Sequence, residues 1–184
     1  NCVLLCLFKN QTLREEWVVL VNDKDAKLGL MPKLEAHEKG ELHRAFSVFV
    51  FNDEGQMLLQ QRALHKYHTP GKWANTCCSH QRDGESTLDA GKRRLKEEMG
   101  FVTDLTFRKT FIYKAGFDNG LTEHELDHIM VGKYNDDPVI NPDEVAAFKW
   151  IGIPDLLVDI ELHPEKYTAW FKIIMSEHID AIKL

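Results

Sequence analysis

Cys78 and His80 stand directly ahead of a run that reads Glu85-Ser-Thr-Leu-Asp-Ala-Gly-Lys-Arg93-Arg94-Leu-Lys-Glu97-Glu98-Met-Gly100. Ser86 followed three residues later by Asp89 is close to a capping box. Leu88, Leu95 and Met99, with Gly91 or Lys92 between them, trace one face at helical spacing, and Gly100 supplies a left-handed stop. The run therefore predicts a helix with a defined start and end. Arg93 with Glu97, and Arg94 with Glu98, are four apart and share a face. On an ordinary solvated helix these would be two surface ion pairs. The fixed register of Glu85, Arg93, Leu95, Glu97, Glu98, Gly100 and Phe101 argues for more than that.

Around this helix the pattern is mostly strand. Trp17–Val21 is apolar and β-branched, and ends in the turn cluster Asn22 to Asp25. Phe46–Phe51 and Met57–Arg62 flank Asn52-Asp53-Glu54-Gly55 and predict a hairpin. Ala63 to Cys78 contains Pro70-Gly71 and reads as a loop. Strands are expected over Leu105–Tyr113, Leu126–Tyr134 and Phe148–Ile151, then a helix opened by Pro154. Pro164–Leu184 reads as a closing amphipathic helix with Trp170, Ile173, Ile174 and Ile182 among its apolar positions. Strands interrupted by one helix and closed by another predict a mixed sheet flanked by helices.

A chain of 184 residues fits one domain, here residues 17–184. Residues 1–16 read as an N-terminal extension, disordered or left over from expression. Its apolar stretch has no basic leader and no small-residue cleavage site, so no signal peptide is expected. No apolar run reaches the roughly 20 residues of a membrane span. Of four cysteines, Cys77 and Cys78 are adjacent, and Cys2 and Cys6 lie in the extension, so a disulfide framework is not expected and the cytoplasm is. A net charge of -6 argues against nucleic-acid or anionic-membrane partners, so an anionic ligand needs a local basic cluster.

Metal-capable side chains fall in three segments: His37 and His43; Cys78 and His80; Glu123, Glu125 and Asp127. In a strand Glu123, Glu125 and Asp127 share one face, and His124 and His128 take the other. Each histidine alone is more often a loop or strand-start residue than a ligand. Three histidines and two glutamates together make a five-ligand nitrogen/oxygen set suited to manganese, zinc or magnesium.

The helix motif resembles the signature of the Nudix superfamily, matching at Glu85, Arg93, Leu95, Glu97, Glu98, Gly100 and loosely Phe101. It departs at Ser79, where a glycine is expected, and at Arg94, where a glutamate is. The resemblance narrows over residues 17 to 175. Lys33 with His37, His43-Arg-Ala-Phe46, Arg62-Ala-Leu-His-Lys66, Trp73-Ala-Asn-Thr-Cys-Cys78-Ser-His80, Arg93-Arg94 with Glu97-Glu98, and Tyr113 leading to Glu123-x-Glu125 occur in one order. Together they resemble the type I isopentenyl-diphosphate Δ-isomerases, a family that carries arginine at the position of Arg94.

The resemblance implies an α+β fold, a Nudix-type α/β/α sandwich with a mixed β-sheet. It implies a metal site of His37, His43, His80, Glu123 and Glu125, taking one Mn²⁺ (or Zn²⁺ or Mg²⁺). A Mg²⁺ bound with the substrate diphosphate would use Glu98 and the carbonyl of Cys78. Lys33, Arg62, Lys66 and Arg94 would contact the diphosphate, Trp170 would line the pocket, and Cys78, Glu125 and Tyr113 would be catalytic. The partner implied is a small prenyl diphosphate. A double-bond shift needs an acid and a base on opposite faces of a flat substrate, and an aromatic wall to shield a carbocation. Trp170 and Tyr113 are candidates for that wall, and Trp73 reads as packing. Cys77 also reads as packing, because adjacent side chains in an extended segment diverge. The alternatives are a Nudix hydrolase, which needs a water-activating carboxylate among Glu85, Glu97 and Glu98, and a non-catalytic diphosphate-binding module.

Overall fold

The computed structural model describes residues 16–183, so Cys2, Cys6 and nearly all of the expected N-terminal extension lie outside the described residues. In chain order the elements are β1 (Trp17–Val21), β2 (Lys27–Pro32), α1 (Lys33–Lys39), β3 (His43–Phe51), β4 (Gln56–Arg62), β5 (Trp73–Ala74) and β6 (Cys77–Ser79). There follow α2 (Thr87–Met99), β7 (Leu105–Gly116), β8 (Thr122–Lys133), β9 (Val145–Gly152), α3 (Ile153–Leu162) and α4 (Ala169–Glu177).

β3 is the organising strand. It runs parallel to β8 along its whole length, from His43 opposite Glu125 to Phe51 opposite Lys133. Its other edge is shared by β1 at His43, β6 at Phe46 to Val48, and β4 at Phe51. The apolar run of β3 follows from burial on both faces. Phe46, Val48 and Val50 enter one layer with Leu95 and Met99 of α2. Phe49 and Phe51 enter the other with Trp170, Phe171 and Ile174 of α4. The sheet is thus sandwiched between helices.

The expected hairpin is corrected in one respect. β3 and β4 pair only at Phe51–Met57, and β4 then turns away to run antiparallel to β9. The wedge is filled by β5 on β4 and β6 on β3, so the segment expected to be a loop carries two short strands. The spreading opens a cleft between the two parts of the sheet. Two further expectations change. Leu88 is 39% exposed, and the buried face of α2 is Ala90, Gly91, Leu95, Glu98 and Met99. The closing helix is broken: 3₁₀ turns at Pro164–Lys166 and Ile179–Ala181 flank α4.

Helix α2 begins as expected, with the Ser86 hydroxyl accepting from the Asp89 amide at 3.1 Å. It ends at Gly100, whose φ of 78° suits glycine. A β-carbon at Gly91 would lie 2.7 Å from the Met130 methyl, so this glycine sets how closely α2 rests on the sheet.

Candidate active site

One lateral row across the sheet places three of the expected residues. Tyr113 on β7 is in register with Glu125 on β8, which is in register with His43 on β3. Their side chains emerge on one face because equivalent positions in paired strands project together. His37 arrives from α1, not from a loop, and His80 from the segment just past β6.

The three histidines are aimed the same way. The Nδ1 atoms of His37 and His43 sit 2.6 and 2.8 Å from the carbonyls of Lys33 and Glu41. This leaves each Nε2 directed inward. The Nε2 atoms of His37, His43 and His80 lie 3.9, 3.4 and 3.2 Å from Oε1 of Glu125. Burial pushes the pKa of His37 and of His80 down to about 4, so both rings are neutral near pH 7. His43 is fully buried, and its Nε2 has no hydrogen-bond partner. Ligand atoms of His37, His43, His80 and Glu125 all fall within 4.8 Å of one another, a spacing that could hold a metal ion. Inward-facing imidazoles, two of them with Nδ1 pinned by a carbonyl and one with its Nε2 otherwise orphaned, are the donor set a divalent cation takes.

Glu123 is near this group but not in it. Its Oε1 is 2.7 Å from Nε2 of His68 and its Oε2 3.1 Å from the Tyr113 hydroxyl. The same hydroxyl donates to Oε2 of Glu125 at 2.7 Å. The two carboxylates titrate apart. Burial and the charge of Glu125 drive Glu123 well above the ordinary range. Burial would also raise Glu125, but the ring nitrogens of His43 and His80 outweigh it and hold it low. A bound cation would let both ionise. Asp127, next on the same face, is pushed up to about 8, first by burial and then by Glu125. Ser47 donates to its Oδ2 at 2.7 Å, while Oδ1 has no partner. His124 and His128 point away, toward the carbonyls of Gly40 and Ala45.

His37, His68, His80, Glu123, Glu125 and Asp127 border a cavity of about 1200 Å³, also lined by Lys33, Arg62, Lys66, Cys78, Arg94, Glu98 and Trp170. Cys78 and Cys77 diverge as expected: Cys77 is wholly buried in the α2 layer, and Cys78 is half-buried at the cavity wall. Burial raises the Cys78 thiol far above its usual range, with Arg62 opposing and Glu98 and Glu125 adding to the rise. Trp170 is 5% exposed, and its Nε1 donates to Oδ1 of Asn75 at 3.2 Å. Trp73 is absent from the cavity lining and stacks under Lys149, in keeping with packing.

All four expected basic residues reach the cavity, each already engaged. Lys33 pairs with Glu16 at 2.9 Å, and Lys66 with Glu144. Arg62 donates to the carbonyls of His68 and Thr69, with its guanidinium 5.4 Å from the centre of the Trp170 ring. Arg94 spans Glu97, Glu98 and Glu144 at 2.8, 2.7 and 3.3 Å. Glu98 is 4% exposed and accepts from Gln60 at 2.9 Å through its other oxygen. Sequence reasoning missed Gln60, His68, Asn75 and Glu144. Only His68 had a signal, as a fourth histidine beside Lys66 in a segment read as a loop.

A model of the NUDIX domain matches residues 41–171. The chain is 51% identical over 159 residues to the isopentenyl-diphosphate Delta-isomerase of Pectobacterium atrosepticum, covering 86% of this chain and 89% of that one. It is 44% identical over 170 residues to isopentenyl-diphosphate Delta-isomerase 2 of Aromatoleum aromaticum, covering 92% and 90%. Among solved structures, the DR0079 protein of Deinococcus radiodurans superposes with a TM-score of 0.72 at 18% identity, over 91% of this chain and all of that one. The MutT protein of Methanosarcina mazei Go1 does so at 0.61 and 16% identity, over 73% and 91%. These last two likenesses speak to the fold.

Proposed function

Because the chain belongs to the isopentenyl-diphosphate Delta-isomerase family, on a NUDIX domain, we propose how its residues divide the work of that reaction. The protein converts isopentenyl diphosphate into dimethylallyl diphosphate: a proton is added at the terminal alkene carbon, and one is removed from the methylene on the far side of the tertiary centre so formed. Cys78 and Glu125 form the acid/base pair. The observation that carries this is geometric: Cys78 and Glu125 line one cavity, with burial favouring the thiol form of Cys78 and the surrounding histidines favouring the ionised form of Glu125. One proton shared between two groups lining one cavity is the complement a double-bond shift requires. On the return reaction each takes the other's part.

The proton leaving a tertiary carbocation is acidic, so a weakly basic carboxylate suffices to take it. Tyr113, its phenol held protonated by burial and the two glutamates, orients Oε2 of Glu125 through its 2.7 Å hydrogen bond. Trp170 walls the apolar part of the cavity, excluding water that would trap the cation as an alcohol; Tyr113, expected to share that wall, is not among the lining residues and instead meets Glu123 and Glu125. His37, His43, His80, Glu123 and Glu125 hold the resident metal, Mn²⁺ in the first instance, and Glu98 with the Cys78 carbonyl holds Mg²⁺ brought with the diphosphate. Bound there, these cations supply the positive charge that keeps the glutamates ionised and neutralises phosphate oxygens. Lys33, Arg62, Lys66 and Arg94 anchor the diphosphate, which reconciles an anionic substrate with a net charge of -6. Residues 17–184 act together as one catalytic domain. The hydrolase reading has less support, because Arg94 already spans two of the carboxylates it would need.

The test is incubation with isopentenyl diphosphate and Mg²⁺ in D₂O, followed by proton and phosphorus NMR. Dimethylallyl signals carrying deuterium, with the diphosphate intact, are expected. Cys78→Ala should remove them while metal content stays unchanged. Turnover by Cys78→Ala would exclude Cys78 from the pair, and release of phosphate without an alkene shift would point to hydrolysis.

A further inference from the structure

Glu123 poses a problem of aim. It lies on the same face of β8 as Glu125, two residues further from the centre of the strand, and its carboxylate is outside the tight group formed by the three histidines and Glu125. A glutamate has three side-chain torsions, and fixing them costs conformational freedom. Something must hold this side chain if it is to serve the cation. One polar group touches each oxygen: the Tyr113 hydroxyl lies 3.1 Å from Oε2 but makes its shorter bond to Glu125, and Nε2 of His68 lies 2.7 Å from Oε1.

His68 is itself firmly placed. It is 7% exposed, and its ring meets Phe117 edge-to-face at 4.4 Å between centroids. Its carbonyl accepts from Arg62 at 3.0 Å. The following residue, Thr69, adopts a φ of 46°, a conformation that a β-branched residue rarely takes. The link between β4 and β5 is therefore bent and clamped so as to deliver an imidazole to the cavity wall. The His68 ring is 6.2 Å from that of His37, yet its nitrogens are not part of the four-residue ligand group.

We propose that His68 is a positioning residue of the metal centre, holding Glu123 by one oxygen so that the carboxylate stays aimed at a cation bound by His37, His43, His80 and Glu125. This rests on the reading of Glu123 as a metal ligand. With Glu123 ionised, His68 is the donor and the carboxylate the acceptor. Partners of this kind commonly change metal affinity by about 10- to 100-fold when removed. A role confined to docking the loop would change stability and leave Mn²⁺ affinity intact.

The experiment is calorimetric titration of Mn²⁺ into metal-stripped protein, with the electron paramagnetic resonance of bound Mn²⁺ recorded alongside. His68→Phe keeps the contact with Phe117 and loses the donor; His68→Leu is a second donor-free variant should the first not fold; His68→Gln keeps an N–H. Glu123→Gln is expected to weaken Mn²⁺, and His68→Phe to weaken it about 10- to 100-fold. The double variant should bind no worse than Glu123→Gln alone, and His68→Gln should recover most of the loss. If folded His68→Phe or His68→Leu binds Mn²⁺ like the parent while Glu123→Gln is weakened, the positioning role is wrong. Losses that multiply in the double variant would overturn it too. If Glu123→Gln itself binds normally, the ligand assignment of Glu123 falls, and the inference falls with it.

Discussion

Replacing His80 with asparagine tests whether the histidines of this site are folded in their neutral form. Burial lowers His80 from 6.5 to about 4. Between those values the unfolded chain binds a proton that the folded chain refuses. The stability contributed by a neutral His80 is therefore complete above pH 6.5 and lost as pH falls toward 4. For one such group the loss between pH 7 and pH 5 is about 2 kcal/mol. His37 and His68, also lowered to about 4 chiefly by burial, behave alike. Asp127 works in the opposite sense. Raised from 3.8 to about 8, it stays protonated when folded and so adds stability as pH falls through that window. The absolute pH dependence of the parent is thus a balance, and the informative quantity is a difference. Urea unfolding of metal-stripped parent and His80→Asn at pH 7, 6 and 5 should show the variant losing about 2 kcal/mol less than the parent across the range. A stability difference that does not change with pH would mean that His80 titrates alike in both states. The picture of neutral, inward-facing ligands would then be refuted.

Arg94→Glu sets a fourth carboxylate beside Glu97, Glu98 and Glu144, and should raise KM for isopentenyl diphosphate at least about tenfold at fixed metal; an unchanged KM removes Arg94 as an anchor. Glu144 occupies Lys66 and Arg94, whose charges, against an opposing burial effect, hold its carboxyl below the usual range. Glu144→Gln should release Lys66 to the diphosphate, leaving Arg94 held by Glu97 and Glu98, and lower KM about two- to fivefold; a rise in steady-state KM would contradict this. Gly100→Ala combines a φ of 78° with a β-carbon 2.3 Å from the Val139 carbonyl oxygen, and should cost more than about 1 kcal/mol by its urea midpoint.

The parts of this molecule that were legible in sequence are those governed by local rules. The α2 cap at Ser86, its stop at Gly100 and the shared face of Glu123, Glu125 and Asp127 follow from capping chemistry and a period of two. The hairpin expected at Asn52–Gly55 forms at its mouth, but no local signal says that β3 and β4 will part after one pair. The edges freed by that parting are taken by β6 and β5, while β8 and β9, contributed from more than 60 residues away, pair with the outer edges. Leu88 fits the helical stripe in sequence, yet the sheet covers only the arc from Ala90 to Met99. Gln60, Asn75 and Glu144 carry no signature because their significance is only spatial: each meets a site residue from another element.

Arg94 shows how one substitution in a helix motif redirects a fold. Its guanidinium lies against Glu97 and Glu98 from a single turn of α2 and reaches Glu144 beyond β8. Three carboxylates that could have clustered around a cation and a water instead share an arginine, with one oxygen of Glu98 further occupied by Gln60. Meanwhile the opposite wall gathers histidines around Glu125, and β6 delivers Cys78 to the space between. The cationic end of the cavity is thereby suited to retaining a diphosphate, and the end with the proton carriers to acting on the hydrocarbon. Exchanging Arg94 for glutamate reverses the first of these alone, because Arg94 has no contact with the histidine group. A variant that still binds Mn²⁺ normally but holds its substrate weakly would separate the two halves of the site along that line.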